Sequence, residues 1–247
     1  MPVQFQNFDY SYERDGKPVF APSDLGRVIG EDIKAQVEAA YEFDSFVYHL
    51  KKNGGHVAAL HAHRPHRFFA RVDIRRFFYS IARNRVQRAL SAIGVGRARH
   101  YAKWSCVKNP YGNLGYVLPY GFIQSPILAT LVLMESGVGT LLRELDAGGD
   151  VTVTVYMDDI CLSSDDLGGL QEAFDALLER LDQANFVVSG QKVRPPSPAM
   201  DVFNCDLESG QTEVQQQRID LFEAEPRSDA SMEAFARYCL IVEEGNA

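Results

Sequence analysis

Four residues, Tyr156-Met157-Asp158-Asp159, sit between two apolar runs, Val151–Val155 and Ile160–Leu162. Alternating β-branched residues on both sides predict a hairpin, with strands at 151–156 and 160–163 and the acidic pair at its turn. Two adjacent carboxylates in such surroundings are costly, because a buried charge requires a compensating partner. Mg²⁺ is one such partner, since it takes oxygen ligands, commonly one or two carboxylates together with a substrate's phosphates. A solvated Asp-rich turn fits the same local pattern. The rest of the chain must decide between the two.

Charge is distributed unevenly. Residues 49–108 hold fourteen Lys or Arg, all six His and one acid, Asp73, for a formal balance of +13. The remainder therefore carries −21 of the net −8. A basic central third, interleaved with Phe68, Phe69, Phe77, Phe78, Tyr79 and Tyr101, suits a polyanion-binding surface. A basic solvated face balanced by acidic neighbours is the alternative. The length fits one large domain or two small ones. No apolar run is long enough to predict a membrane span. Met1–Asp9 lacks the basic start and apolar centre of a signal peptide. Cys106, Cys161, Cys205 and Cys239 form no compact zinc pattern and read as reduced, partly buried thiols, which predicts a cytoplasmic location.

The remaining pattern predicts an α+β fold, with helices backing a small antiparallel sheet. Residues 1–25 read as an irregular arm. Ile33, Val37, Ala40, Phe43 and Val47 recur at helical spacing and predict a helix over 28–50. A strand is expected at 68–74, a helix at 82–93 and a loop with short strands over 104–120. Pro126, with Ser125 as cap, opens a long helix that runs from Ile127 to Leu145. A helix at 168–184, strands at 185–189 and 201–207, and helices at 211–225 and 229–242 complete the expectation.

Three distant pieces share one chemistry. Asp73 ends a strand and is followed by Phe77 and Phe78. Leu118–Pro126 is a Gly/Pro loop feeding a helix. Tyr156–Asp159 comes last. In this order the set resembles the palm of a reverse transcriptase. It is closer to the bacterial group of retron, group II intron and phage-defence enzymes than to a complete viral enzyme. The resemblance covers roughly residues 60–210 and implies a right-hand polymerase palm with short fingers. It implies Asp73, Asp158 and Asp159 as catalytic carboxylates that bind two Mg²⁺ ions, with Mn²⁺ as a substitute. Ile74, Arg75, Arg76, Phe77, Phe78, Tyr120, Gly121, Gln124 and Lys192 are the implied nucleotide contacts, Phe78 by excluding a ribose 2′-hydroxyl. Arg64, Arg67, Arg71, Ser125, Pro126, Tyr156 and Met157 are the implied contacts to nucleic acid. The Asp201–Leu207 segment resembles a primer grip.

The chemistry accounts for these residue types. Joining a primer 3′-hydroxyl to the α-phosphorus of a nucleotide uses an already activated phosphoryl group, so the protein mainly positions reactants and offsets charge. Two metals about 4 Å apart can bind the attacking and leaving oxygens. Several positions keep two readings. Tyr120 stands where the family often has glutamine, and it either meets the nucleotide or packs under the loop. Arg64, Arg67 and Arg71 are candidates for the triphosphate, while Arg75 and Arg76 alternatively bind backbone phosphates. His61, His63 and His66 can be read as a metal cluster. Without a neighbouring Cys or acid they fit better as surface or nucleic-acid-facing imidazoles, which make that face more positive in mild acid.

Residues 1–67 are thus expected to form an N-terminal arm and reduced fingers. Residues 68–210 would form the palm, with a fingers segment near 82–120, and 211–247 a short acidic helical tail without a full thumb. An RNA or protein partner, or a second copy of the chain, would then supply thumb function. The implied ligands are an RNA template, a DNA or RNA primer and deoxynucleoside triphosphates, with phage defence as the setting. The competing class is a non-catalytic or weakly templated subunit that binds RNA or a sister polymerase.

Overall fold

Period-two alternation on both sides of the Asp-Asp turn closes into an antiparallel sheet. The computed structural model describes residues 6–112 and 115–247. Residues 1–5 of the expected arm and 113–114 of the expected loop lie outside them. In chain order the first elements are β1 (Phe8–Arg14), β2 (Lys17–Pro22), α1 (Asp24–Ala40), α2 (His56–His63), β3 (Phe68–Asp73), a 3₁₀ turn (Phe78–Ser80), α3 (Arg83–Ala92) and α4 (Ala98–Trp104). Then follow β4 (Val107–Lys108), β5 (Tyr116–Val117), α5 (Ser125–Met134), α6 (Gly137–Gly148), β6 (Thr152–Tyr156), β7 (Asp159–Ser164) and α7 (Leu167–Gln183). The chain closes with β8 (Arg194–Ser197), β9 (Ala199–Val202), β10 (Cys205–Glu208), β11 (Gln211–Val214), α8 (Gln216–Glu223) and α9 (Asp229–Glu243). The fold is α+β, as the pattern predicts. Among the described residues no single helix is long and apolar enough to cross a membrane.

The chain folds as two compact units. The first gathers the residues up to Phe43, Ile74–Thr140 and Leu181–Val187; the second holds Asp44–Asp73, Leu141–Arg180 and Val188–Ala247. These boundaries differ from the expected 67/68 and 210/211 divisions, because Leu60 of α2 and Val242 of α9 share one apolar core with Phe69 of β3.

The second unit contains a four-stranded antiparallel sheet in the order β6-β7-β3-β8. Ala70, Val72, Val153, Val155, Ile160 and Leu162 occupy one face by alternation and are all buried. Arg71, Asp73, Thr154, Asp159, Cys161 and Ser163 share the other. A second sheet, β11-β10-β9, packs its Met200, Val202, Cys205 and Leu207 with Leu60, Phe69 and Val242 into one apolar core. The first unit pairs β1 with β2 and β4 with β5. Its core includes Phe20, Tyr79, Val107, Val117 and Phe122.

Several elements differ from expectation for identifiable reasons. The N-terminal arm is a hairpin, turned by Asp15 (φ 52°) and Gly16 (φ 70°), a pair suited to a two-residue turn with positive φ. The first helix stops at Ala40, because the backbone of 46–48 is taken up by β6: Val155 N–H donates to Phe46 O (2.8 Å) and Tyr48 N–H to Val155 O (2.9 Å). The long helix is two helices, the second restarted by Ser136, whose Oγ accepts from Val138 N–H at 3.2 Å. Ser125 does not cap the first; Gln124 holds the cap position, and Ser125 Oγ is buried without a partner. Residues 185–189 form no strand. The fourth strand is β8, whose two prolines are tolerated because it lies at the sheet edge. Residues 211–225 form β11 and α8 rather than one helix, and 98–104 are helical.

Candidate active site

The carboxylates meet through strand register. Asp73 ends β3 directly opposite Asp159, which begins β7, while Tyr156 pairs with Asp159 across the hairpin. Met157 and Asp158 are therefore the two turn residues. Met157 takes φ 57° at the first turn position, a left-handed conformation that suits tight hairpins but is uncommon for a long side chain. Its N–H donates to His49 Nδ1 at 3.1 Å. Burial lowers the His49 pKa to about 4, so the ring is neutral and can accept that bond.

Arg71 lies two residues before Asp73 and so on the same face of β3. Its Nε and Nη2 converge on Asp159 Oδ1 at 2.7 and 2.6 Å, and Nη1 donates to the Asp201 carbonyl at 2.9 Å. Burial opposes the Arg71 charge, but the Asp159 carboxylate outweighs it and the pKa is raised. Lys192 Nζ reaches Asp73 Oδ2 at 2.7 Å, and Ser189 N–H donates to Asp73 O at 2.8 Å. The Asp158 pKa is pushed up to about 6, first by burial and then by the negative charge of Asp159 and Asp73.

Among the described residues no group of three His, Cys, Asp or Glu is arranged to hold a metal ion. Arg71 and Lys192 each pair with one of the three carboxylates. The donors nevertheless fit a hard divalent cation: oxygen ligands, partly desolvated, that repel one another. The two cations differ in how firmly they hold. The Lys192 side chain is 55 % exposed on a flexible stem, whereas the Arg71 side chain is 9 % exposed and held by two partners. Asp159 is therefore the carboxylate held most firmly by protein.

In the first unit, Ile74, Phe77 and Phe78 are buried, and Arg75 and Arg76 are exposed. The Phe78 ring packs edge-on against the half-buried Tyr120 at 4.7 Å. Gly121 adopts φ 100°, and a Cβ there would lie 2.2 Å from Phe20 O, so the β1–β2 hairpin requires glycine at this point. Gln124, expected at the nucleotide, is 1 % exposed. It is lodged against Gly30 of α1, where an added Cβ would come within 2.4 Å of its Oε1. That wall leaves its amide facing protein. Ser125 is likewise buried, while Pro126 is partly exposed in the first turn of α5.

The basic residues expected on nucleic acid divide. Arg64 is structural: its Nη2 donates to Val242 O at 2.9 Å, and its guanidinium also binds Thr212 Oγ1 and Glu244 O. Arg71 is turned inward, as described. Arg67 stays exposed, its guanidinium 5.5 Å from the Phe68 ring centre. Tyr156 and Met157 are half-buried. The three histidines each bond to protein, and His63 is buried. His63 bridges Ser163 Oγ and Thr154 Oγ1 at 2.7 Å each, and burial lowers its pKa to about 3. His61 bonds Val242 O and His66 bonds Thr152 Oγ1, each at 2.8 Å. The sequence pattern did not single out His49, and it set Arg71 on nucleic acid where the structure pairs it with Asp159. Only the second left a signal, the two-residue spacing that puts Arg71 and Asp73 on one face.

An antiparallel sheet carrying paired acids at a hairpin turn, with a third acid on the adjacent strand, defines a polymerase-like palm. Residues 15–202 match the family described as reverse transcriptase (RNA-dependent DNA polymerase), and the chain belongs to that family. A foamy viral protease–reverse transcriptase in complex with double-stranded DNA superposes with a TM-score of 0.53 at 15 % identity, over 91 % of this chain and 34 % of that one. A telomerase from Candida albicans, in complex with a fragment of telomeric RNA, gives 0.52 at 11 % identity, over 87 % of this chain and 42 % of that one. The chain thus spans less than half the length of either, and the likeness is one of fold. A search of the curated proteins returns no sequence match.

Proposed function

We propose that the protein is an RNA-directed DNA polymerase that adds deoxynucleotides to a primer 3′-hydroxyl. The observation that carries this reading is the register that sets Asp73 opposite Asp159, with Asp158 at the adjoining turn and its pKa raised to about 6. Asp73 and Asp158 would hold the divalent cations, Mg²⁺ or Mn²⁺. Arg71, by fixing Asp159, sets the shape of the group. When bound, such ions supply neutralisation of the attacking and leaving oxygens. Lys192, released from Asp73, would offer its ammonium to the nucleotide phosphates, and Phe78 would exclude a 2′-hydroxyl, as the family resemblance implies. An RNA or protein partner, or a second copy, would complete the grip on the duplex. Phage defence is the biological setting that the resemblance suggests.

The test is primer extension on an RNA template with deoxynucleotides and Mg²⁺. Wild type incorporates; Asp158→Asn falls to background while its melting temperature in metal-free buffer holds or rises, because a buried repelling charge is gone. Full activity in that variant overturns the assignment. The Lys192–Asp73 and Arg71–Asp159 pairs favour one competing reading, a non-catalytic RNA-binding subunit whose acids are internally neutralised. Wild-type protein that binds RNA but incorporates nothing with either Mg²⁺ or Mn²⁺ would select it.

A further inference from the structure

We propose that His49 is a positioning residue: it holds the Tyr156–Asp159 turn, and with it the Asp158 carboxylate, in the geometry that a divalent cation needs. This rests on the polymerase reading and adds to it a residue outside the carboxylate set. The turn has two residues, Met157 and Asp158, because Tyr156 pairs with Asp159. Met157 takes a positive φ, 57°, and Asp158 does not. Positive φ at the first turn position alone is the II′ pattern, which prefers glycine there. A methionine in that conformation needs support from outside the turn. The turn's own hydrogen bond joins its first and fourth residues, so the Met157 N–H has no acceptor within the hairpin. His49 Nδ1 supplies that acceptor at 3.1 Å.

The acceptor is fixed by its own segment, which lies in the same unit as the turn. Val47 forms a parallel bridge with Val155 of β6, and the bonds from Val155 N–H to Phe46 O and from Tyr48 N–H to Val155 O flank it. Beyond His49 the chain folds back, and Gly55 N–H donates to Tyr48 O at 3.0 Å. A Cβ at Gly54 would overlap Tyr48 O, so that fold requires glycine. The imidazole itself stands edge-on to the Tyr156 ring, with centroids 5.8 Å apart. Because Nδ1 accepts, the ring proton sits on Nε2. His49 thus acts on Asp158 through the Met157 peptide, whose rotation would swing the next carboxylate. A shift of about 1 Å in such a group can cost about 100-fold in rate.

The experiment compares two replacements in the full chain. His49→Phe keeps a ring against Tyr156 and removes the acceptor. His49→Asn loses the ring and keeps an acceptor oxygen near the place of Nδ1. Three quantities are read: hydrogen exchange of the Met157 amide by NMR, binding of Mn²⁺ alone by electron paramagnetic resonance, and kcat and KM for deoxynucleotide in primer extension. His49→Phe should speed Met157 exchange about tenfold or more. It should weaken Mn²⁺ binding and lower kcat, each by about 10–100-fold, with KM unchanged. His49→Asn should recover most of each loss. His49→Leu serves if the phenylalanine variant does not fold. Equal losses of all three in His49→Phe and His49→Asn would assign His49 to ring packing and overturn the role, as would wild-type values in a folded His49→Phe. Loss of kcat in both variants, with exchange and Mn²⁺ binding unchanged, would make His49 a proton-transfer group and also overturn it. Exchange and metal binding are read without turnover. A wild type that shows these differences but does not polymerise fails the polymerase reading and leaves His49 its role. A wild type that polymerises, with His49→Phe unchanged, sinks the role of His49 alone.

Discussion

Some arginines of the two units are held in different ways. In the second, Arg71 and Lys192 are each matched to a carboxylate, Arg194 is matched to Asp201, and Arg64 is bound by carbonyl and hydroxyl oxygens. In the first, Arg76, Arg83 and Arg85 lie over the rings of Tyr111, Tyr116 and Phe186. A guanidinium over a ring keeps its charge available to an outside anion, while one locked on a buried carboxylate does not. The same residue type is thus structural framework at one position and stacked on a ring at another. Local sequence does not tell them apart.

The sharpest way to break this contrast is to remove one arginine from each side. Arg71→Met strands the buried Asp159 and should cost about 3–5 kcal/mol in chemical denaturation. Arg83→Met should stay within about 0.5 kcal/mol, as surface changes usually do. Equal losses would erase the distinction. Gly121→Ala has the next largest effect. It forces a side chain into a left-handed conformation and against Phe20 O, so about 1–3 kcal/mol is expected, with the loss read in the first unit by hydrogen exchange. A wild-type exchange pattern would mean that the hairpin yields to the added methyl.

His63 gives the smallest effect and belongs to the second unit. Its folded pKa, about 3, is below the ordinary value of 6.5. The unfolded chain therefore takes up the proton first as pH falls. Stability from this group is intact above about 6.5 and is lost progressively towards pH 3, amounting to about 1 kcal/mol near pH 5.5. His63→Gln should remove that acid limb in pH-dependent melting. An unchanged limb would place the proton uptake elsewhere.

Elements carried by strong local periodicity were legible. The Asp-Asp hairpin, α3, α7 and α9 all fall within about two residues of their expected ends, because alternation or a helical stripe repeats over several turns. The β1–β2 hairpin was legible in principle from Asp15-Gly16 but was obscured by its prolines. Strand β8 was obscured in the same way, by Pro195 and Pro196. The early stop of α1 was not legible at all, since the competitor for residues 46–48 is a strand edge a hundred residues later.

At the site, the chain's own pattern determines which residues are acids at strand ends and at a turn. That much follows from alternation and turn chemistry acting over a few neighbouring residues. Pairing of β3 with β7 decides that Asp73 faces Asp159, that Arg71 claims one carboxylate and Lys192 another, and that the His61–His66 segment is packed against protein. Those outcomes depend on contacts between segments about a hundred residues apart, and no periodicity within either segment encodes the partner it will meet.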